Sequence, residues 1–268
     1  ALICRATLSA TEPAVFPAVT YSLYKTLVTN AGGAYSEVAM VPGENQPYGV
    51  DLDALEASQA KVVFLPNPNA ITGEYVAREK IADTIRKSSK LWVIDEAYND
   101  FAGPEATMMS YVAELPNLIV TRTFSKTHAL AGLRVGYLAT SNAALMSGLM
   151  AHKDSYNEDA LAARLATAAL EDRDWHRRTI SAVLSGREFL RAELAALGFT
   201  VHESAANYLL AKAPAKMPAA EMVNGLRAYK ILIRYYAGSQ FSDCVRISVG
   251  SEGENAKLIG ALREMLAR

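Results

Sequence analysis

Residues 121–138 read TRTFSKTHALAGLRVGYL. They place two hydroxyls, Thr123 and Ser125, and an amine, Lys126, directly after the apolar run 118–120. Arg134 then stands at the entry of a second apolar run, 135–139. Hydroxyls donate to phosphate oxygens, a guanidinium binds them bidentately and turn amides add further donors, so the group suits a phosphorylated ligand. The lysine is left for the ligand's reactive end. A Ser-Lys pair alone is a weak signal, because surface lysines beside serines are common. Its weight comes from residues elsewhere in the chain.

Asp95 closes the apolar run of VIDEAY, where a carboxylate is costly to bury without a positive partner or several donors. A helix cap or structural ion pair accounts for such a residue, and so does a counter-ion for a cationic ring nitrogen. Tyr98 follows three residues later and offers a phenol to the same ligand; Tyr21 offers a flat surface for stacking. Each tyrosine taken alone also fits an ordinary packed core. Near the C-terminus, Val245, Ile247 and Val249 share one strand face, so Arg246 and Ser248 point to the other and Arg246 is available to a cleft. An aspartate for a pyridinium, a lysine for a Schiff base, and Ser, Thr and Arg for a phosphate are together the parts that pyridoxal 5′-phosphate requires.

The elements that must position these residues follow from hydrophobic patterning. Short continuous apolar runs at 14–16, 62–65, 91–94 and 118–120 read as strands buried on both faces, and amphipathic stretches such as 75–87, with Ala77, Ile81 and Ile85 inward, read as helices between them. A strand-helix-strand alternation, continued through the Lys126 turn to 135–139, predicts an α/β fold with a mostly parallel sheet sandwiched by helices. In such sheets ligands bind beyond the carboxyl ends of the strands. Asn67 to Asn69, Asp95 to Tyr98 and Thr123 to Lys126 all fall there, so three loops are expected to share one crevice. Beyond a long helical stretch over 159–197, ended by Gly198, four strand-like and two helical segments form a smaller α+β domain. The expected division is 1–155 for a cofactor-binding large domain and 156–268 for the small one.

The chain has 268 residues, 51% of them hydrophobic, and a net charge of -1. That balance offers no basic field for nucleic acid. No apolar run reaches the eighteen or so residues that span a bilayer, and no secretory leader is recognisable. Two cysteines, Cys4 and Cys244, make neither a disulfide framework nor a metal-ligand pair, and the four histidines show no zinc spacing. A cytoplasmic setting and small-molecule chemistry are expected.

The motifs FPAVTYSLY, FLPNPNAITG, VIDEAYNDF, RTFSKTHALAGLRVGY, KDSYN, ILIRYY and VRISVG, in this order over essentially the whole chain, resemble the fold-type I class II aminotransferases, and most closely the histidinol-phosphate aminotransferase family. The resemblance implies a homodimeric transaminase moving an amino group between an amino donor and a 2-oxo acid, with histidinol phosphate and 2-oxoglutarate as the leading pair. It implies that Lys126 forms the Schiff base and shuttles the proton, Asp95 holds the ring nitrogen, Tyr98 bonds the phenolic oxygen and Tyr21 stacks on the ring. Thr123, Ser125 and Arg134 bind the phosphate, while Arg246, assisted by Arg234, takes the acidic end of the substrate. A decarboxylase or β-lyase of the same fold, or a non-catalytic aminotransferase-like effector domain, are the alternatives.

Two departures accompany the likeness. The family's loop reads NPNNPTG, and its second internal asparagine bonds the phenolic oxygen; here Ala70 and Ile71 replace that asparagine and the proline. Either Asn69 reaches in after a loop shift, or Tyr98 alone serves that oxygen. The family's N-terminal arm and its Gly-Ser/Ala-Asp/Asn phosphate-binding turn are also not found, so the chain is expected to be an N-terminally truncated version of a longer protein.

Overall fold

The computed structural model describes residues 1–43 and 48–267, so the centre of the loop expected over 42–49 lies outside the described residues. The first half alternates as its pattern predicts: α1 (Leu2–Thr7), β1 (Ala14–Pro17), α2 (Leu23–Asn30), β2 (Tyr35–Val38), α3 (Leu52–Ala57), β3 (Val62–Pro66), α4 (Arg78–Lys87), β4 (Leu91–Asp95), β5 (Leu118–Thr123), β6 (Gly136–Ala139) and α5 (Ala143–Ala151). The strands form one sheet in the order β2-β1-β3-β4-β5-β6.

Why the apolar runs lack alternation is plain from the packing. In β3, Val62 and Phe64 face a layer with Tyr24, Val28 and Leu149, whereas Val63 and Leu65 face Leu55, Ile81 and Ile85 on the opposite side. Both faces are covered, as a parallel sheet requires. Helix α4 starts later than its apolar period suggests. Residues 74–77 are extended, and Asn67 pins them by accepting from the Val76 N–H at 2.8 Å and donating to its carbonyl at 2.9 Å.

The order corrects one expectation. Strand β5 is followed by β6 as its direct antiparallel neighbour, with no crossover helix between them. The turn holding Lys126 and Arg134 therefore closes a hairpin at the sheet edge instead of entering a helix. The crevice geometry survives this change, because β3, β4 and β5 remain parallel, with Pro66 beside Asp95 and Asp95 beside Thr121.

Helices α6 (Ala160–Glu171) and α7 (Arg173–Ala196) lead to the second sheet. It comprises β7 (Thr200–Val201), β8 (Tyr208–Lys212), then α8 (Ala219–Leu226), β9 (Arg234–Tyr235), β10 (Cys244–Ser248) and α9 (Glu252–Ala267), in the order β7-β8-β10-β9, all antiparallel. Asp172 caps α7 by accepting from the Trp175 N–H at 2.9 Å. Leu190, Leu194, Met222, Val245, Ile247 and Leu262 pack this sheet against its helices.

Contacts of several kinds tie the two parts together. A cluster of Val19, Ile71, Leu210, Phe241 and Cys244 bridges them, so Ile71 fills an apolar role where the resemblance led one to expect proline. At Gly73, φ is +76° and an added Cβ would come within 2.1 Å of the Ser204 hydroxyl, which explains why only glycine fits.

Glu74 lies beneath this junction with Oε2 buried and unpartnered, and burial pushes its carboxyl up to about 7. The folded state therefore binds this proton more tightly than the unfolded chain, whose carboxyl has an ordinary value of 4.5. The stability from Glu74 is present below that value and is lost as pH rises through about 7. Glu74→Gln should flatten the fall in melting temperature between those limits. A fall in the variant as steep as in the parent would contradict this account.

Candidate active site

Asp95 ends β4 in the middle of the sheet. Its Oδ2 accepts the Tyr24 hydroxyl at 2.7 Å and its Oδ1 accepts the Ala97 N–H at 3.1 Å. Burial pushes the carboxyl above its ordinary value, against the pull of Tyr24, the Ala97 amide and the Lys126 ammonium. A cationic ligand beside it would hold it ionised. A cavity of about 170 Å³ opens there, lined by Asp95, Tyr21, Tyr24, Phe64 and Thr121. Tyr21 is 48% exposed and meets the Tyr24 ring edge-on at 5.8 Å, so one face of Tyr21 is free to cover a planar ligand. Tyr24 reads from sequence as an ordinary core aromatic. Its bond to Asp95 has one faint signal, its place one helical turn after Tyr21.

Lys126 stands one strand over, in the turn after β5. Its Nζ lies 4.9 Å from the centroid of the Tyr98 ring and interacts electrostatically with Asp95. The Tyr98 ring packs edge-on against Tyr208 of β8 at 5.3 Å, and the Arg246 guanidinium of β10 covers the Tyr208 ring at 4.6 Å. Arg246 also donates to the Ala70 carbonyl at 2.7 Å while its Nε is buried without a partner. An unpartnered guanidinium nitrogen in a crevice is costly until an anion meets it. Arg234 lies directly across β9 from Arg246, over the Tyr236 ring at 5.6 Å. Contacts thus run unbroken from Asp95 through Lys126, Tyr98 and Tyr208 to Arg246, from the first sheet to the second. Tyr208 and Tyr236 are lining residues that the sequence reading assigned no part.

The remaining predicted residues differ in their readiness. Thr123 donates to the Ser125 Oγ at 2.9 Å and accepts the Ser125 N–H at 3.1 Å, a turn that holds two hydroxyls side by side next to Lys126. Arg134 is exposed, has φ of 57°, and its Nη1 donates to the Ala131 carbonyl at 2.8 Å.

Asn69 requires correction. Its amide nitrogen donates to the Val19 carbonyl at 2.8 Å, and its side-chain oxygen accepts the N–H groups of Ile71 and Thr72 at 2.9 and 3.1 Å. The Tyr208 hydroxyl donates to its backbone carbonyl. Asn69 is 1% exposed and spent on shaping the loop, so it does not replace the donor missing at Ala70.

Behind the Lys126 turn is a polar network. Buried Glu96 accepts the Thr107 hydroxyl at 2.8 Å and Arg122 at 2.8 Å; Arg122 also donates to Asp100 Oδ1 at 2.8 Å and to Asn99 Oδ1 at 3.1 Å. These charges were passed over in the sequence because each lies inside a motif read for its neighbour.

A buried carboxylate, an amine and a phenol at the carboxyl ends of adjacent parallel strands, with paired hydroxyls beside the amine, fit pyridoxal phosphate by the chemistry of the donor set. The fold and site together define a fold-type I pyridoxal-phosphate-dependent transferase of the aminotransferase class. The family model for aminotransferase class I and II matches residues 1–262. Histidinol-phosphate aminotransferase 1 of Nostoc sp. is 36% identical over 99% of this chain and 73% of its own length. Histidinol-phosphate aminotransferase 2 of Burkholderia mallei is 38% identical over 96% of this chain and 70% of its own. The crystal structure of the Sinorhizobium meliloti histidinol-phosphate aminotransferase in complex with pyridoxal-5′-phosphate superposes with a TM-score of 0.89 at 25% identity, covering 99% of this chain and 73% of that one. The chain belongs to the aminotransferase class I and II family and is a pyridoxal-phosphate-dependent transaminase.

Proposed function

We propose that this transaminase moves an amino group between histidinol phosphate and 2-oxoglutarate, with the residues of the inter-sheet crevice in the following roles. Bound there, pyridoxal phosphate supplies an electron-accepting ring conjugated to the carbon that gains or loses the amino group. Lys126 holds the cofactor and carries the proton to and from the substrate's α-carbon. Asp95, oriented by Tyr24, keeps the ring nitrogen protonated. Tyr98 donates to the ring oxygen and serves it alone, since Ala70 has no donor. Tyr21 covers the ring face. Thr123 and Ser125 bind the phosphate, and Arg134 joins them by exchanging its Ala131 bond for a charged one.

Arg246 receives the acidic end of the substrate, a phosphate for one and a carboxylate for the other, with Arg234 adding charge from across the strand pair. The observation that carries the reading is the buried, unpartnered Arg246 Nε, linked through the Tyr208 and Tyr98 rings to Lys126 and, beyond it, Asp95. Residues 1–155 serve as the cofactor-binding domain and 156–268 as the substrate-facing domain. A homodimer working in the cytoplasm completes the proposal. The names of the relatives support the choice of histidinol phosphate, and no helix among the described residues is long and apolar enough to cross a membrane.

The test is glutamate formation from histidinol phosphate and 2-oxoglutarate, assayed beside aromatic amino acids and threonine phosphate. Carbon dioxide release from threonine phosphate or an aromatic amino acid, with no glutamate formed from histidinol phosphate, overturns the assignment in favour of a decarboxylase. Arg246→Ala should lower kcat/KM for both substrates by about 2–5 kcal/mol, the usual range for truncating one partner of a buried charge pair. An unchanged kcat/KM removes Arg246 from the site.

A further inference from the structure

Asp100, His128 and His176 meet behind the Lys126 turn, from three separate parts of the chain: the short 3-10 helix Asn99–Phe101, the turn itself and the first turn of α7. One ligand-capable atom from each lies within 4.8 Å of the others. Donors held tetrahedrally about 2.0–2.2 Å from one ion lie about 3.3–3.6 Å apart, so side-chain rotation has to bring them about 1 Å closer to close on it.

The carboxylate is already oriented for the task. Asp100 Oδ1 is fixed by Arg122 at 2.8 Å, while Oδ2 accepts the Thr127 hydroxyl at 2.6 Å and faces His176 Nε2 at 3.2 Å. Such partners hold a ligating carboxylate in place. The imidazoles of His128 and His176 stack with centroids 4.6 Å apart and planes 19° from parallel. Thr127 Oγ1 also lies 3.3 Å from His128 Nδ1. Imidazole lone pairs lie in the ring planes, so one ring has to turn for both nitrogens to face a single ion.

The surrounding charge agrees. Glu96 and Asp100 are both paired to the single cation Arg122, which leaves this group one formal negative charge in excess. Two imidazoles and one carboxylate are a nitrogen and oxygen donor set of the kind that binds zinc and its neighbours.

We propose that Asp100, His128 and His176 bind one divalent transition-metal ion, with open positions left to water, at a site outside the cofactor crevice. The ion would fasten the turn that follows Lys126 to the start of α7. None of the three residues holds cofactor or substrate in the proposed function, so the site stands or falls independently of that reading.

Zn2+ binding to chelator-treated holoenzyme, followed by titration calorimetry and by melting temperature, tests this. The parent protein should bind one Zn2+ per chain at micromolar concentrations, with a rise in melting temperature as the ion saturates the folded state. His176→Gln and His128→Gln should each weaken binding more than about tenfold, since even supporting residues of metal sites cost about that much when lost. A parent protein that takes up no Zn2+ at these concentrations overturns the proposal. So does binding that persists at parental strength in either variant, which would place the ion on the cofactor or elsewhere on the surface.

Discussion

Lys126→Ala should fold, keep its melting temperature within a few degrees, and lose transaminase turnover by at least roughly four orders of magnitude. The size follows from what is removed together: covalent attachment, and proton transfer at the substrate carbon, which by itself contributes about 10²–10⁴-fold. The fold tolerates the change because the side chain's recorded contacts are with the Tyr98 ring and the Asp95 charge, not with the core. The readouts are glutamate formation with saturating substrates and the absorption band of the bound cofactor. A variant with parental turnover would remove Lys126 from the chemistry.

Asp95→Asn should be nearly as damaging, and for a separable reason. Asn is the same shape, and its amide group can donate to the Tyr24 oxygen that now donates to Oδ2 while its carbonyl keeps the Ala97 N–H. Packing is thereby preserved and the charge alone is lost. Removing one partner of a buried ion pair costs about 3–5 kcal/mol, which corresponds to roughly a hundredfold to several thousandfold in kcat. KM for 2-oxoglutarate should move little, because Arg234 and Arg246, proposed above to bind its carboxylate, are untouched. A shifted pH dependence of the cofactor's absorption band is the signature that a merely structural role would not produce. A kcat within a few fold of the parent would show that Asp95 is a structural acid only.

The parts of the fold that were legible in the sequence are those governed by one strong rule. Continuous apolar runs became β1, β3, β4 and β5, because a parallel sheet covered on both faces demands them, and the strand-end rule placed Asp95 and Lys126 in one crevice. What eluded the sequence depended on pairing over long distances. The antiparallel placement of β6 beside β5 cannot be told from a parallel one by apolarity, since both strands read alike. Tyr24 looks like any core aromatic until its hydroxyl is found 2.7 Å from a carboxylate 71 residues away.

Asn69 illustrates the opposite error. An asparagine in a ligand-proximal loop has the right chemistry to donate outward, yet the same amide is the best group available to satisfy the loop's own N–H groups. Local backbone demand won. Strand periodicity did give the side to which Arg246 points: Val245 and Ile247 are both buried against the helices of the second sheet, and the residue between them lies over the Tyr208 ring.

Reduction of the holoenzyme with borohydride, followed by peptide mass spectrometry, tests the central claim most directly, because it fixes the cofactor to whichever amine holds it. The pyridoxyl mass is expected on Lys126 and absent from the other lysines, with Asp95→Asn retaining the same attachment point. Modification of a different lysine, or none in a protein that still turns over, would contradict the site described above.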